Sequence, residues 1–228
     1  LNSADAIITN SKLLIPFIDK YFKQSKEKII AINNGIEFED LISNVSKKGK
    51  INIGIIGKDT EEKNIDLFVS VALQLLNEHT NVNFHICGRG LGPFSRLSSN
   101  IPQHLMKFFT FYGELNNPIE LYEILDIFVL SSNSEGSPNV VLESMSYGIP
   151  VVATNVGGVS ELVSHGYNGY LVPIGDINSL IKFCNLLINN FEVRNNIGLN
   201  AKNFIREKFS EKHMVSDFSG VFKSIVKL

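Results

Sequence analysis

Two carboxylates flank the start of a helix in the run Glu135-Gly-Ser-Pro-Asn-Val-Val-Leu-Glu143. Ser137 is a natural N-cap and Pro138 suits the first helical position, so a helix is predicted to begin there. It should stop at Gly148, with Pro150 preventing any continuation. Gly136, Ser137 and the first turn leave backbone N–H groups without intrahelical acceptors, and the aligned peptide dipoles add partial positive charge. A diphosphate binds well at such a point. Glu143, about one and a half turns along, tilts back toward the helix start, where a carboxylate accepts two hydrogen bonds from a ribose diol. Glu135, on the preceding loop, is free to face a sugar. The unit therefore suits a phosphorylated, hydroxyl-rich ligand such as a nucleotide-sugar. Taken alone, the spacing equally describes two solvated carboxylates that complement a helix dipole.

The elements that must position this unit alternate in type. Ile51-Asn-Ile-Gly-Ile-Ile56 reads as a buried strand ending at Gly57, and residues 64–76 carry apolar side chains at helical spacing. Val82-Asn-Phe-His-Ile-Cys87 is the next strand, closed by Gly88-Arg-Gly90, whose lone Gly-x-Gly is a weak phosphate signal. One helix is expected within 92–107, a strand at 108–111, a helix at 119–125 and a strand over 126–130. Beyond the opening unit come a strand at 151–153, a short helix at 159–163, a turn at Gly166-Tyr-Asn-Gly169 and a strand at 170–173. Helices are predicted from Asn178 onward, over 193–207 and over 214–226. Strands separated by helices predict right-handed crossovers and a parallel sheet covered on both faces. From about residue 50 the fold class is thus α/β, a Rossmann-like doubly wound domain, with ligands at the carboxyl ends of the strands. Residues 1–49 are less regular: a strand at 6–9, a helix over 12–21 interrupted at Pro16, a strand at 28–32, a turn at Asn33-Asn-Gly35, and a polar, basic linker from Ser43 to Lys50.

Composition excludes some partners. A net charge of -2 over 228 residues, with Lys and Arg scattered, gives no long-range attraction to nucleic acid. No apolar run is long enough to read as a membrane span, and no secretory signal opens the chain. Cys87 and Cys184 lie far apart and outside any metal-type spacing, which points to small buried residues in a reducing compartment, the cytosol by default. The five histidines, His79, His85, His104, His165 and His213, show no ligand spacing, and no Asp-x-Asp pair is present, so no metal site is expected. His85 is expected to pack within its strand and His165 to occupy a surface turn. The chain opens on Leu1 rather than Met, and it is expected to be a piece of a longer protein.

The opening unit continues through Gly148-Ile-Pro-Val-Val-Ala153 to Gly157-Gly158. In this order and spacing it resembles the signature of the retaining, nucleotide-sugar-dependent group 1 glycosyltransferases (family four, GT-B architecture). Tyr167-Asn-Gly-Tyr-Leu-Val172 is similar to that family's Asn-Gly-x-Leu-Val turn. The stretch from Phe111-Tyr-Gly113 through Leu121 to Asp126 resembles the part that meets the nucleotide base, and Asn34-Gly35 resembles the end of the N-terminal domain. The resemblance implies that this is the C-terminal donor domain, residues 50–228, preceded over 1–49 by the tail of the N-terminal domain and a linker, with the last helices packing back toward that domain. It implies that Glu143 holds the ribose hydroxyls, that Glu135 orients the donor sugar, and that backbone amides at Gly136, Ser137, Asn139 and Val140 contact sugar and diphosphate. Gly57, Gly113 and Leu115 would complete the donor site. Lys58 and Lys63 would neutralise the leaving diphosphate, although Lys58 stands where Arg is commoner and lacks its bidentate fork. Asn64 stands where Gly is usual. Without the resemblance, the two lysines describe a solvated loop beside Asp59, Glu61 and Glu62.

The resemblance further implies no cofactor beyond the donor, most often a UDP-sugar, and no nucleic acid partner. The acceptor would be a saccharide or lipid-linked glycan held mainly by the rest of the enzyme, with peripheral association of the full-length protein at the inner face of a membrane. Richness in Asn, Lys, Ile and Phe points to an AT-rich bacterial source, where such enzymes build surface polysaccharide. A non-catalytic nucleotide-sugar-binding module, and an epimerase or phosphorylase on the same two-domain architecture, remain open alternatives from sequence.

Overall fold

The structure, a computed structural model, describes residues 4–22, 28–37 and 49–226. The stretch that opens the predicted linker, Ser43–Lys48, lies outside them, as does Leu1. Near the N-terminus, β1 (Ile7–Thr9), α1 (Ile15–Phe22) and β2 (Ile29–Ala31) form a small unit in which the two strands pair in parallel. A short 3-10 turn, Lys12–Leu14, precedes α1 and is capped by Ser11, whose hydroxyl accepts from the Leu13 N–H. The break predicted at Pro16 is absent. Pro16 sits in the first turn of α1, where its missing N–H would have had no intrahelical acceptor in any case.

The main sheet has six parallel strands: β3 (Ile51–Ile56), β4 (Val82–Cys87), β5 (Phe109–Gly113), β6 (Ile127–Leu130), β7 (Val151–Thr154) and β8 (Gly169–Val172). Their order is β5-β4-β3-β6-β7-β8, so the chain winds outward from β3 in one direction and from β6 in the other. The helices are α2 (Ile65–Leu75), α3 (Arg96–Ser99), α4 (Ile119–Ile124), α5 (Asn139–Ser146), α6 (Val159–Leu162), α7 (Ile177–Asn189), α8 (Phe191–Lys208) and α9 (Glu211–Val226). The central strands are apolar on both faces, as a doubly covered parallel sheet requires. Ile127, Val129 and Val152 face a core completed by α2 and α7, while Phe128, Leu130, Val151 and Ala153 face one completed by α4, α5 and α8. Cys87 and Cys184 are both free and buried, as expected.

Three sequence expectations are corrected. The helix placed within 92–107 is two short pieces, α3 and a 3-10 segment Gln103–Phe108, separated at Pro102, whose extended backbone (φ -54°, ψ 133°) stops a helix from running through. Helix α5 begins one residue later than predicted: Pro138 is itself the N-cap, with extended backbone (φ -76°, ψ 107°), and no side chain caps the helix. Strand β8 starts at Gly169 rather than Tyr170. At its far end α5 does stop at the Gly148-Ile-Pro150 turn.

Candidate active site

The winding direction reverses between β3 and β6, and in open α/β sheets such a point leaves a crevice beyond the strand ends. The loops that leave these two strands are tied to each other there. The Asn133 N–H donates to the Glu62 carbonyl at 2.7 Å, Asn133 Nδ2 to the Glu61 carbonyl at 2.9 Å, and the Ser131 hydroxyl to the Lys63 and Asn64 carbonyls at 3.1 and 2.8 Å. Asn64 has a left-handed backbone (φ 46°), and its side chain accepts from the Leu67 N–H to cap α2. That accounts for Asn where Gly was expected, because Asn tolerates the left-handed region and supplies a cap that Gly lacks.

This join brings Lys63 to Glu135. The Lys63 ammonium donates to both carboxylate oxygens at 2.8 Å, and the Ser132 hydroxyl donates to Glu135 Oε1 at 2.6 Å. The Glu135 side chain is 6% exposed and that of Lys63 27%. Lys58 is exposed and its side chain makes no hydrogen bond or ion pair with any other described residue, so of the two predicted cations one is paired and one is free. Gly57, which ends the strand below them, donates its N–H to the Cys87 carbonyl at 2.9 Å. Gly88 packs so closely on Gly57 that a Cβ there would lie 1.6 Å from the Gly57 oxygen. The Gly88-Arg-Gly90 signal is thus explained by loop packing, and Arg89 is exposed.

The loop that carries Glu135 leads directly into the start of α5. The backbone N–H groups of Gly136, Ser137, Asn139 and Val140 donate to no other group among the described residues. Because Pro138 has no N–H and no side chain caps the helix, the first two helical N–H groups are left as open donors, and the next, that of Val141, turns back to the Pro138 carbonyl at 3.1 Å. Gly157-Gly158 braces the loop before it, the Gly158 N–H donating to the Gly136 carbonyl at 2.6 Å.

The N-terminal unit closes one side. Asn34 Nδ2 donates to Asn139 Oδ1 at 2.6 Å, and Asn10 Oδ1 lies 3.9 Å from where a Cβ on Gly136 would stand. The buried Ser11 hydroxyl donates to Glu161 Oε1 on α6, and the same oxygen accepts from the Leu13 N–H at 3.2 Å. Ile36 pairs with Phe209, Ser210 and Glu211 beside the start of α9. Replacing Glu161 with alanine removes the acceptor that ties the two units together. Stability should fall by about 1–2 kcal/mol, read as a lower urea midpoint at unchanged slope.

Glu143 lies one helical stretch beyond the open turn. Its Oε2 accepts from the Tyr122 hydroxyl at 2.5 Å, and Tyr122 stacks on Tyr147 with ring centroids 5.3 Å apart. Burial, together with the adjacent Glu143 carboxylate, pushes the Tyr122 phenol well above its ordinary range, so it stays protonated and a donor. Gly113 ends β5 with both backbone groups engaged: its N–H donates to the Leu91 carbonyl at 3.0 Å and its carbonyl accepts from the Gly88 N–H at 2.7 Å. Leu115, on the following loop, is 37% exposed.

The remaining titratable groups serve the scaffold. His85 is buried between Tyr112 and Asn52, 2.8 and 3.0 Å from their oxygens, and burial lowers its pKa to about 4. It packs within its strand as expected, and His165 occupies an exposed turn. Among the described residues no cluster of three or more His, Cys, Asp or Glu is placed to hold a metal ion, and no helix is long and apolar enough to cross a membrane. Sequence reasoning missed Tyr122, Ser132 and the Ser11–Glu161 tie. Tyr122 fell inside the stretch singled out from Leu121 to Asp126, but nothing in the pattern distinguished it from its neighbours.

Residues 37–204 match the protein family described as glycosyl transferases group 1. Among curated proteins, N-acetyl-alpha-D-glucosaminyl L-malate synthase of Bacillus anthracis is 30% identical over 124 residues, covering 54% of this chain and 32% of that protein. The capsular polysaccharide biosynthesis glycosyltransferase CapM of Staphylococcus aureus is 24% identical over 222 residues, covering 90% of this chain and 57% of CapM. Among solved structures, a mutant of Staphylococcus aureus TarM in complex with fondaparinux, alpha-GlcNAc-glycerol and UDP has a TM-score of 0.83 at 25% identity, covering 96% of this chain and 44% of TarM. The chain thus spans well under two thirds of the length of each of these proteins.

Proposed function

The chain belongs to the group 1 glycosyltransferases, and from that premise we propose that it binds a nucleotide-diphosphate sugar and presents the sugar for transfer with retention at the anomeric carbon. The observation that carries this reading is the uncapped start of α5, with its free N–H groups at Gly136, Ser137, Asn139 and Val140, directly following Glu135 and its partner Lys63 on the loops at the reversal of the sheet. The diphosphate lies against that turn, where N–H donors and the helix dipole favour negative charge. Lys58 is free to approach it from the exposed side, and Lys63 from beside Glu135.

Glu143 takes the ribose diol, with Gly113 and Leu115 on the side of the base and Gly57 beneath the phosphates. Glu135 accepts from hydroxyls of the donor sugar. The rate gain comes mainly from stabilising charge that builds on the diphosphate as the glycosidic bond breaks, a task for preorganised donors rather than for a covalent nucleophile. The donor itself carries the reacting group, so no cofactor enters. Residues 4–37 form the end of a second domain, and most of the acceptor site, for a saccharide or lipid-linked glycan, lies in that domain beyond this chain. The whole enzyme works in the cytoplasm, peripheral to the membrane. The UDP bound by TarM and the capsular role named for CapM support a UDP-sugar donor and surface polysaccharide synthesis.

Calorimetric titration with UDP, GDP and ADP, repeated on Glu143→Ala, tests the donor site. One nucleotide should bind selectively, and the alanine variant should bind it at least tenfold more weakly, as loss of two hydrogen bonds to a charged group predicts. Equal affinity in wild type and variant would remove Glu143 from the site.

A further inference from the structure

Glu143 is not a freely rotating carboxylate. Its Oε2 receives the Tyr122 hydroxyl at 2.5 Å, a short bond of the kind made to an ionised acceptor. Tyr122 is 3% exposed and its ring stacks on Tyr147, the residue that ends α5 one turn beyond Glu143. The phenol thus reaches from α4 and holds a side chain of α5 while leaning on that same helix. Oε1 has no partner among the described residues. Both of its lone pairs, and one on Oε2, remain to accept from a ligand, and the tyrosine's bond restricts the carboxylate's rotation.

We infer that Tyr122 is the positioning residue for ribose recognition: it orients the Glu143 carboxylate so that the open oxygen meets a vicinal diol without first losing rotamer freedom. This rests on the donor-site reading above. At 3% exposure Tyr122 offers a ligand almost no surface of its own, although it lies in the stretch that resembles the base-binding part. Its effect is transmitted entirely through Glu143, and it should therefore be visible only with ligands that carry the diol.

Tyr122→Phe keeps the ring and its stacking on Tyr147 and removes only the hydroxyl. The test takes the nucleoside diphosphate selected by the calorimetric titration (UDP, GDP or ADP) and compares it with its 2′-deoxy counterpart on wild type and on Tyr122→Phe, with thermal unfolding of both proteins alongside. Immobilising one flexible side chain on binding predicts about a two- to tenfold loss of affinity for the ribonucleotide in the variant. The 2′-deoxynucleotide should bind wild type and variant nearly alike, so that the ratio between the two ligands shrinks. A ratio unchanged by the substitution, whether both affinities hold or both fall together, overturns the positioning role. Wild type that binds the two ligands equally overturns the assignment of Glu143 to the ribose, and wild type that binds no nucleoside diphosphate overturns the donor-site reading itself. These failures are separable because the last two are read on wild type alone.

Discussion

Lys63→Ala should weaken nucleoside diphosphate binding by about tenfold to a hundredfold and destabilise the chain by about 1–3 kcal/mol, because one ammonium serves both. Lys63 bonds both oxygens of Glu135, a side chain that is 6% exposed. Without it, Ser132 is the remaining donor to that carboxylate among the described residues, and a carboxylate withdrawn from water with too few donors is costly. On the proposed reading, the same ammonium is one of the two cations that meet the diphosphate. Adding Glu135→Gln to Lys63→Ala separates the two effects. The double variant no longer buries an unmatched charge and should recover most of the stability, as read by urea denaturation, while calorimetry still shows weak binding. Recovery of both properties together would mean that Lys63 acts only as the counter-ion of Glu135.

Gly157→Ala should cost more than about 3 kcal/mol and disturb the donor site although it touches no ligand. Two penalties add there. The backbone is left-handed (φ +48°), which costs a residue with a Cβ about 1–2 kcal/mol. A Cβ would also lie 1.8 Å from the Glu135 carbonyl oxygen, so the loop that carries Glu135 must move. Gly166→Ala is the matched control. It has φ +78° and open space around the position, so it should show the conformational penalty alone, with donor affinity intact. Thermal unfolding and calorimetry on the two variants check this. Similar effects at both positions would show that Gly157 matters only for its backbone conformation, and that the brace on the Glu135 loop is unimportant.

Much of the architecture was legible because it is local. The apolar runs of β3, β4, β6 and β7 announce strands buried on both faces, and their alternation with helical periodicity leaves few topologies besides a doubly wound parallel sheet. The helix after Glu135 and its stop before Pro150 follow from residues within a few positions of each other. Helix starts were harder. Pro138 and Pro16 each behave differently from the simplest rule, because a proline can either begin a helix or stand before it, and the choice depends on what the flanking loop is bound to.

What only the tertiary structure decided is who meets whom. Lys63 and Glu135 are 72 residues apart in the chain, Tyr122 and Glu143 are 21 apart, and Ser11 and Glu161 are 150 apart. Nothing in hydrophobic period or turn chemistry encodes such pairs, because both depend on near neighbours along the chain. The first exists because β3 and β6 are adjacent in the sheet, which brings the loops that leave them together; the second because α4 and α5 share one core, and the third because the N-terminal unit meets α6. The residue types that could bind a phosphorylated sugar nucleotide were present in the sequence by itself. That Lys63 is paired with one carboxylate, and that a buried tyrosine donates to the other, follows from strand order and packing, where each charged group must find its partner after it has left water.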